Sequence, residues 1–265
     1  MYSSFQLAKK FARYYLTAAN GKGHGIHSPF VFDFVINVLN DKKKYNCYNL
    51  IECLRKELLA NKTAIDVEDF GAGSAVIPFK KRKVNAIAAP SLKNKKFSQL
   101  LFRIVKYYKP ETIVELGTSF GTTSCYFACA NEDAKVFTLE GSKSIGEIAR
   151  TNFKKLNLRN VYLEQGNFEY SFPAVMQKID TIDFLFIDGN HRKDATLFYF
   201  NESLKKAMTS SIFIFDDIHW SAEMEQAWEL IKQHTSVTLT IDLFFIGIVF
   251  FNPDFKVKQD FTIRY

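Results

Sequence analysis

Residues 114–124 read VELGTSFGTTS, an apolar run that ends in two glycines, Gly117 and Gly121. The run completes a predicted strand over 112–116, and a helical pattern begins at residue 121. Glycine lets the backbone turn sharply and approach a ligand closely. The first N–H groups of the following helix have no partner within that helix. The segment therefore predicts a ligand-binding turn between a strand and a helix.

A carboxylate follows this turn at a spacing that favours a nucleoside ligand. Glu140 ends the next predicted strand, 19 residues after Gly121, where it can accept hydrogen bonds from both ribose hydroxyls. A nicotinamide dinucleotide fingerprint requires G-x-G-x-x-G, whereas the spacing here is G-x-x-x-G. Glu115 would also repel a pyrophosphate but suits a ligand with a cationic amine and a sulfonium. A dinucleotide is therefore the less favoured alternative.

Short β-rich runs alternate with helical runs in the chain after Pro110. Strands are predicted at 112–116, 135–139, 161–164, 181–187 and 211–215, and helices at 121–131, 143–157, 172–178, 194–208 and 221–233. This alternation predicts an α/β fold with a doubly wound, mostly parallel sheet. Two later runs, 236–243 and 244–251, are typical of an antiparallel pair.

The composition is that of an ordinary globular protein. Of the 265 residues, 47% are hydrophobic and 24% are charged, which excludes a disordered chain, a collagen-like repeat and a coiled-coil rod. We expect no membrane span and no secretory signal, since no apolar run has the required length or flanks. The four cysteines match no zinc-binding spacing, so reduced thiols and a cytoplasmic location are expected.

Charge divides the chain into a basic front and an acidic remainder. Residues 1–110 hold 20 Lys and Arg against 7 Asp and Glu, and residues 111–265 hold 15 against 21. The basic part favours an anionic partner, although lysines on an ordinary solvated surface are the simpler alternative.

The front of the chain is predicted to be helical. Helices are expected at 4–19, 30–39, 47–60 and 94–108, with a loop at 20–29 that contains His24 and His27 and irregular structure over 69–85. We expect residues 1–93 to form a helical N-terminal extension with basic loops that caps the substrate. Residues 94–265 would then form the main domain.

The turn motif E-L-G-T-S-x-G resembles motif I of the class I S-adenosylmethionine-dependent methyltransferases, and Glu140 resembles their ribose-binding acid. The resemblance covers about residues 95–250. It implies a Rossmann-like sheet of seven strands and S-adenosylmethionine as the cofactor. The residues expected at that cofactor are Glu115, Gly117, Thr118, Ser119, Gly121, Thr123, Glu140, Gly141, Asn167, Phe168 and Asp188.

Acidic side chains follow two later strands. Asp188 follows the fourth predicted strand, and Asp216 and Asp217 end the fifth. Adjacent parallel strands have their carboxyl ends at one edge of a sheet, so the three carboxylates can converge on a hard cation such as Mg2+. Mg2+ can lower the pKa of a bound hydroxyl, and a nearby base then removes its proton. Acidic residues at strand ends also cap helices, so a site without metal is the alternative.

These two segments resemble the catechol O-methyltransferase-like subgroup. There an aspartate after the fourth strand and an Asp-Asn pair after the fifth bind the metal, and Asp188, Asp216 and Asp217 occupy those places. The lysine base of that subgroup corresponds to His191, so this chain departs from the pattern at the base. Histidine titrates near neutral pH and can serve as a base, and His219 is a second candidate.

Two other motifs are similar to methyltransferase signatures but lack their context. Asp69–Ser74 reads DFGAGS, yet no apolar strand leads into it, so we interpret it as a loop. Asn252–Phe255 reads NPDF and is similar to the N-P-P-Y motif of amino-methylating enzymes. It follows the last predicted strand rather than the fourth.

The sequence therefore predicts an S-adenosylmethionine-dependent methyltransferase that modifies an oxygen of a small hydroxylated substrate. One alternative is an RNA methyltransferase whose basic front half binds phosphates. Another is a module that binds S-adenosylmethionine without catalysis. The sequence leaves the oligomeric state open.

Overall fold

The computed structural model describes residues 1–68 and 80–265. These residues form two compact units, the inner unit (Lys42–Asp180) and the terminal unit (Met1–Asp41 with Thr181–Tyr265). In chain order the elements are α1 (Ser4–Thr17), α2 (Pro29–Phe34), a π-helical turn (Val35–Leu39), α3 (Asn46–Ala60), β1 (Ala64–Val67), β2 (Lys80–Lys83), α4 (Val84–Ser91), α5 (Lys95–Tyr108), β3 (Thr112–Leu116), α6 (Thr122–Ala130), β4 (Lys135–Glu140), α7 (Lys143–Lys155), β5 (Val161–Gln165), α8 (Phe168–Lys178), β6 (Ile182–Ile187), α9 (Lys193–Leu204), β7 (Ala207–Asp216), α10 (Ala222–Gln233), β8 (Leu239–Asp242), β9 (Ile246–Phe250) and β10 (Gln259–Thr262).

The larger sheet has eight strands in the described part of the chain. In the inner unit, β3, β4 and β5 are neighbours in that order and run parallel. In the terminal unit the order is β6-β7-β9-β8-β10, and β9 is antiparallel to both of its neighbours. The predicted α/β fold with a mostly parallel sheet is confirmed, and so is the antiparallel pair. The predicted number of seven strands is wrong by one.

The additional strand is β10, which the sequence pattern did not indicate. Its residues QDFT contain one apolar side chain, so they show no hydrophobic alternation. Backbone pairing with β8 makes the segment a strand, with Gln259 opposite Leu239 and Thr262 opposite Asp242. An edge strand of this kind forms because its backbone hydrogen-bonds to a neighbouring strand, and hydrophobic periodicity does not show which segments pair.

A separate two-stranded sheet lies in the inner unit, where β1 and β2 pair antiparallel. The prediction of irregular structure over 69–85 is wrong from Lys80 onward, because Lys80–Lys83 form β2 and α4 begins at Val84. Four consecutive basic residues hold no hydrophobic signal for a strand. The short strand β1 also precedes the Asp69–Ser74 motif, contrary to prediction, and that motif itself lies outside the described residues.

Phenylalanine fills much of the core in each unit. Phe184, Phe186 and Phe213 on β6 and β7 are fully buried in the terminal unit, and Phe102 and Phe127 are buried in the inner unit. Each buried side chain of this size contributes about 1.5–3 kcal/mol of transfer free energy. The apolar character of both faces of β6 agrees with a strand covered on both sides.

The front of the chain is mostly helical, and the bounds of α1, α3 and the α2 region match the predicted helices to within two residues. None of the helices in residues 1–68 and 80–265 is long and apolar enough to cross a membrane. All four cysteines are free thiols.

Gly121 precedes α6 with a φ of +80°, and a methyl group added there would lie 2.7 Å from Cζ of Phe153. We expect Gly121→Ala to lower the free energy of unfolding by about 2–4 kcal/mol. The left-handed backbone costs a non-glycine residue about 1–2 kcal/mol, and overpacking adds a similar amount. Urea unfolding followed by circular dichroism measures the change.

Gly25→Ala is the matched control, because Gly25 has a φ of +79° and no atom within 4 Å of an added methyl group. It reports the backbone cost alone and should be the milder change. Equal losses for the two variants would contradict the steric role assigned to Phe153.

Candidate functional site

The turn between β3 and α6 contains three residues with positive φ, namely Gly117 (105°), Ser119 (49°) and Gly121 (80°). The N–H groups of Gly117 and Thr118 both donate to the carbonyl oxygen of Leu139, at 3.1 and 3.0 Å. The turn is therefore fastened to the end of β4. A left-handed conformation at the non-glycine Ser119 costs free energy, which is typical of backbone held in place for a function.

Glu140, the last residue of β4, binds this turn through its side chain. Oε2 accepts the N–H of Ser119 at 2.8 Å, and Oε1 accepts the N–H of Ser142 at 3.0 Å. Part of Glu140 is exposed, but the surrounding protein excludes water from the carboxylate and raises its pKa to about 7, which the backbone N–H donors only partly offset. The carboxylate is thus positioned by the backbone and titrates near neutral pH.

Glu115 is fully buried on β3. Its Oε2 accepts hydrogen bonds from the hydroxyls of Ser124 and Thr138, the latter at 2.6 Å, and Thr118 Oγ1 lies 2.6 Å from Thr138 Oγ1. This network connects β3, β4 and α6 and stabilises the turn from within. A contact of Glu115 with a cofactor amine stays a prediction.

The other residues predicted at the cofactor lie in the first turn of α6 and at the ends of β4 and β5. Thr123 is buried in α6, and Gly141 directly follows Glu140 at the end of β4. Asn167 caps α8 with its side chain, so the helix begins at Phe168, four residues before the predicted start. The inner unit therefore holds every predicted cofactor residue except Asp188.

Sequence reasoning missed two partners of these acids, Ser142 and Thr138. Ser142 follows Glu140 by two residues, but side chain-to-backbone bonds at this spacing are typical of Asp, Asn, Ser and Thr rather than Glu, so this contact was not indicated. Nothing in the sequence around Thr138 indicates its contact with Glu115. It meets Glu115 because the two residues are paired in the register of β3 and β4.

In the terminal unit, His191 lies between two carboxylates. Its Nε2 is 3.8 Å from Oδ1 of Asp188 and 4.0 Å from Oδ2 of Asp217. These separations exceed a hydrogen bond, so the interaction is electrostatic and becomes attractive when the ring is protonated. The His191 side chain is 31% exposed and can be reached by a substrate.

The predicted Mg2+ site is not supported by the arrangement of these acids. Asp188 and Asp216 lie at the carboxyl ends of the paired strands β6 and β7, as predicted. Asp216 is buried, whereas Asp217 leaves the strand with a φ of +54° and is 26% exposed. Within the described ranges, no group of three or more His, Cys, Asp or Glu side chains could hold a metal ion.

His219 belongs to a different charge network. Its Nε2 lies 2.8 Å from Oδ2 of Asp242, and its Nδ1 lies 3.0 Å from Oε1 of Glu225. Glu225 also accepts hydrogen bonds from Tyr2 and Lys10. Burial lowers the pKa of His219, but the two carboxylates outweigh burial and the net pKa is raised. Both ring nitrogens are engaged, which makes His191 the better candidate for a base.

The motif at 252–255 follows β9, but it does not follow the last strand as predicted, because β10 comes after it. Together with His27 and Phe30 it lines a cavity of about 720 Å³ in the terminal unit. Because β9 runs antiparallel to β7, the end of β9 and this cavity lie at the amino-terminal end of β7. Asp188 and Asp217 follow the carboxyl ends of β6 and β7, on the opposite side of the sheet. The cavity is therefore separate from the candidate site.

A family model described as a methyltransferase domain matches residues 114–218. The matched segment begins in β3 and ends just after β7, so it includes the turn, Glu140 and His191. A comparison with curated protein sequences found no match.

Solved structures share the fold. An O-methyltransferase from Bacillus cereus in complex with S-adenosylhomocysteine is 21% identical, with a TM-score of 0.56 over 83% of this chain and 97% of that chain. TomG, an O-methyltransferase from Streptomyces achromogenes involved in tomaymycin synthesis and bound to S-adenosylmethionine, is 18% identical, with a TM-score of 0.53 over 61% and 82%. The Podospora anserina methyltransferase PaMTH1, bound to S-adenosylhomocysteine, is 14% identical, with a TM-score of 0.54 over 80% and 99%.

Residues 114–218 therefore match a methyltransferase domain in sequence, and the chain has the same fold as the solved methyltransferase structures.

Proposed function

We propose that the protein transfers the methyl group of S-adenosylmethionine to a hydroxyl oxygen of a small substrate. The observation that carries the proposal is the Glu140 carboxylate, held by two backbone N–H groups beside the glycine turn of a methyltransferase domain. The O-methyltransferase activity of two structural neighbours supports oxygen as the acceptor. We also propose a cytoplasmic location, in keeping with four free thiols.

The residues of the inner unit fit the proposed cofactor. A carboxylate offers about four lone-pair sites, so Glu140 keeps capacity for a ribose hydroxyl beside its backbone bonds. Gly117 and Gly121 let the backbone approach the ligand, and Asn167 and Phe168 would contact the adenine. When bound, S-adenosylmethionine supplies an electrophilic methyl group on a sulfonium.

His191 is the proposed base. Nε2 takes the proton of the substrate hydroxyl, and the resulting imidazolium is stabilised by the negative charges of Asp188 and Asp217 at 3.8 and 4.0 Å. Proton removal makes the oxygen a stronger nucleophile, and positioning of the two reactants supplies the remaining rate enhancement. The proposal assigns the proton to His191 and routes no step through a divalent cation.

Residues 1–93 remain the proposed substrate cap. They precede the segment that matches a methyltransferase domain, and they include most of the basic residues of the front half. A cap of this charge would favour an anionic substrate.

The affinity for S-adenosylhomocysteine is expected to depend on the ionisation of Glu140. With a pKa of about 7, the ionised fraction falls about tenfold between pH 8 and pH 6, so the dissociation constant should rise by a similar factor. Glu140→Gln should weaken binding about 10- to 100-fold at pH 8, since a hydrogen bond to a charged acceptor contributes about 1.5–3 kcal/mol. Calorimetric titration at both pH values measures these changes.

Glu147→Gln is the matched control, because Glu147 is an exposed acid on α7 and its change removes the same charge. This variant should bind as the wild type does at both pH values. A wild-type affinity that does not change between pH 6 and pH 8 would contradict the role of the ionised Glu140.

His191→Ala is expected to lower kcat by about 10²- to 10⁴-fold, the usual contribution of a general base, and to leave the affinity for S-adenosylhomocysteine unchanged. The assay measures S-adenosylhomocysteine released with a panel of phenols and hydroxy acids. His234→Ala, a change at the end of α10 in the same unit, should keep full activity.

Two results would overturn parts of this mechanism. Activity that requires Mg2+, is abolished by EDTA and survives His191→Ala would replace the histidine base with a metal-assisted step. An intact protein that binds S-adenosylhomocysteine but methylates no hydroxylated acceptor would favour a binding module without catalysis.

A further inference from the structure

The inner unit carries a strand made entirely of basic residues. Lys80, Lys81, Arg82 and Lys83 form β2, and all four are exposed. We call these four residues the basic ribbon. A strand in a sheet normally buries one of its two faces, whereas here side chains on both faces stand in solvent. The ribbon thus contributes no core packing of its own.

The partner strand supplies little negative charge to balance the basic ribbon. The partner strand β1 offers one acid, Asp66, opposite Lys81, and the other partners are Ala64, Ile65 and Val67. Like charges at neighbouring positions of a sheet repel one another and destabilise it. An anionic ligand that binds along the strand would remove this repulsion.

Two hydrogen bonds connect the surroundings of the basic ribbon to the candidate site. One reaches the start of α7, and the other reaches the glycine turn between β3 and α6. Ser144 Oγ donates to the carbonyl oxygen of Asp66 at 2.5 Å, and Ser144 lies in the first turn of α7, just after Ser142, the donor to Glu140. On the other side, α4 continues directly from β2 and ends at Ser91, whose Oγ lies 2.9 Å from that of Ser119.

The length of α4 sets the distance between the ribbon and the turn. Its eight residues span about 12 Å at 1.5 Å per residue. A ligand that occupied both places would therefore need a charged part roughly 12 Å from the part at the turn.

Four cations in a row suit a chain of phosphates better than one carboxylate. Side chains on the same face of a strand repeat about every 6.6 Å, so the ribbon presents two pairs of charges over its length. Arg82 can bind a phosphate through two parallel hydrogen bonds, and lysines act as point charges beside it.

We propose that the basic ribbon binds a phosphate-bearing part of the methyl acceptor, while the acceptor hydroxyl lies at the glycine turn between β3 and α6. The assignment of the phosphates to the acceptor rests on the proposed function. Phosphate binding by the basic ribbon does not depend on the proposed function, so the phosphate site and the methyl transfer can be tested separately.

The test uses the full chain and two probes, inorganic tripolyphosphate by calorimetry and a fluorescein-labelled twelve-nucleotide oligouridylate by fluorescence anisotropy. The test variant replaces the four residues of the ribbon, Lys80→Ala, Lys81→Ala, Arg82→Ala and Lys83→Ala. The matched control replaces three lysines and one arginine that are exposed elsewhere in the chain, Lys154→Ala, Arg159→Ala, Lys205→Ala and Lys256→Ala.

We expect binding of both probes to weaken at least tenfold in the ribbon variant and less than twofold in the control. If four phosphates are neutralised, wild-type affinity for the oligouridylate should fall about 50-fold between 50 and 200 mM salt. Tighter binding of the oligouridylate than of tripolyphosphate would identify RNA as the source of the phosphates, and equal binding would identify a small phosphorylated acceptor.

Absence of binding by the wild type, or equal losses in both variants, would overturn the proposal. The affinity for S-adenosylhomocysteine and the melting temperature are measured in parallel to show that the ribbon variant is folded. The double variant Lys81→Gln with Lys83→Gln keeps two charges and should lose an intermediate amount. If S-adenosylhomocysteine does not bind the wild type, the proposed function fails while the phosphate measurement still decides the role of the ribbon.

Discussion

The hydrogen bonds from the backbone N–H groups of Ser119 and Ser142 to the Glu140 carboxylate are the contacts on which the candidate site depends. They hold the glycine turn and the start of α7 on either side of one side chain. The turn can take this form because Gly117 and Gly121 adopt positive φ without strain and because both Gly117 and Thr118 donate to Leu139. Burial raises the pKa of Glu140 to about 7, so the same contacts leave a carboxylate that responds to pH.

Residues of the same type have different tasks here because their surroundings differ. Glu115 is fully buried and accepts hydroxyl hydrogen bonds within the protein, whereas Glu140 lies at a strand end and keeps lone pairs for a ligand. His219 is fixed by carboxylates at both ring nitrogens, while His191 has carboxylates only beyond hydrogen-bond distance. Chemical role follows from the environment of a side chain rather than from its identity.

The basic residues of the front half also fall into distinct environments. Lys10 is paired with Glu225 in the network around His219, where it stabilises the position of α1 within the terminal unit. The four residues of the basic ribbon are exposed on a strand with one opposing acid. The net charge of the sequence counts these two groups together. Lys10 has a structural role, whereas the basic ribbon is the proposed phosphate site.

The glycine turn, the carboxylate of Glu140 and the alternation of strands and helices could be predicted from the amino-acid sequence, because each depends on local backbone conformation or on the period of buried side chains. The sequence also placed Asp188 and Asp216 at strand ends. Features that depend on pairing between distant segments were visible only in the folded protein. The strands β2 and β10 exist through hydrogen bonds to neighbours, Thr138 reaches Glu115 through the register of two strands, and His219 is engaged by residues far away in the chain. Local periodicity describes one segment at a time, so it cannot contain contacts that form only when distant segments meet.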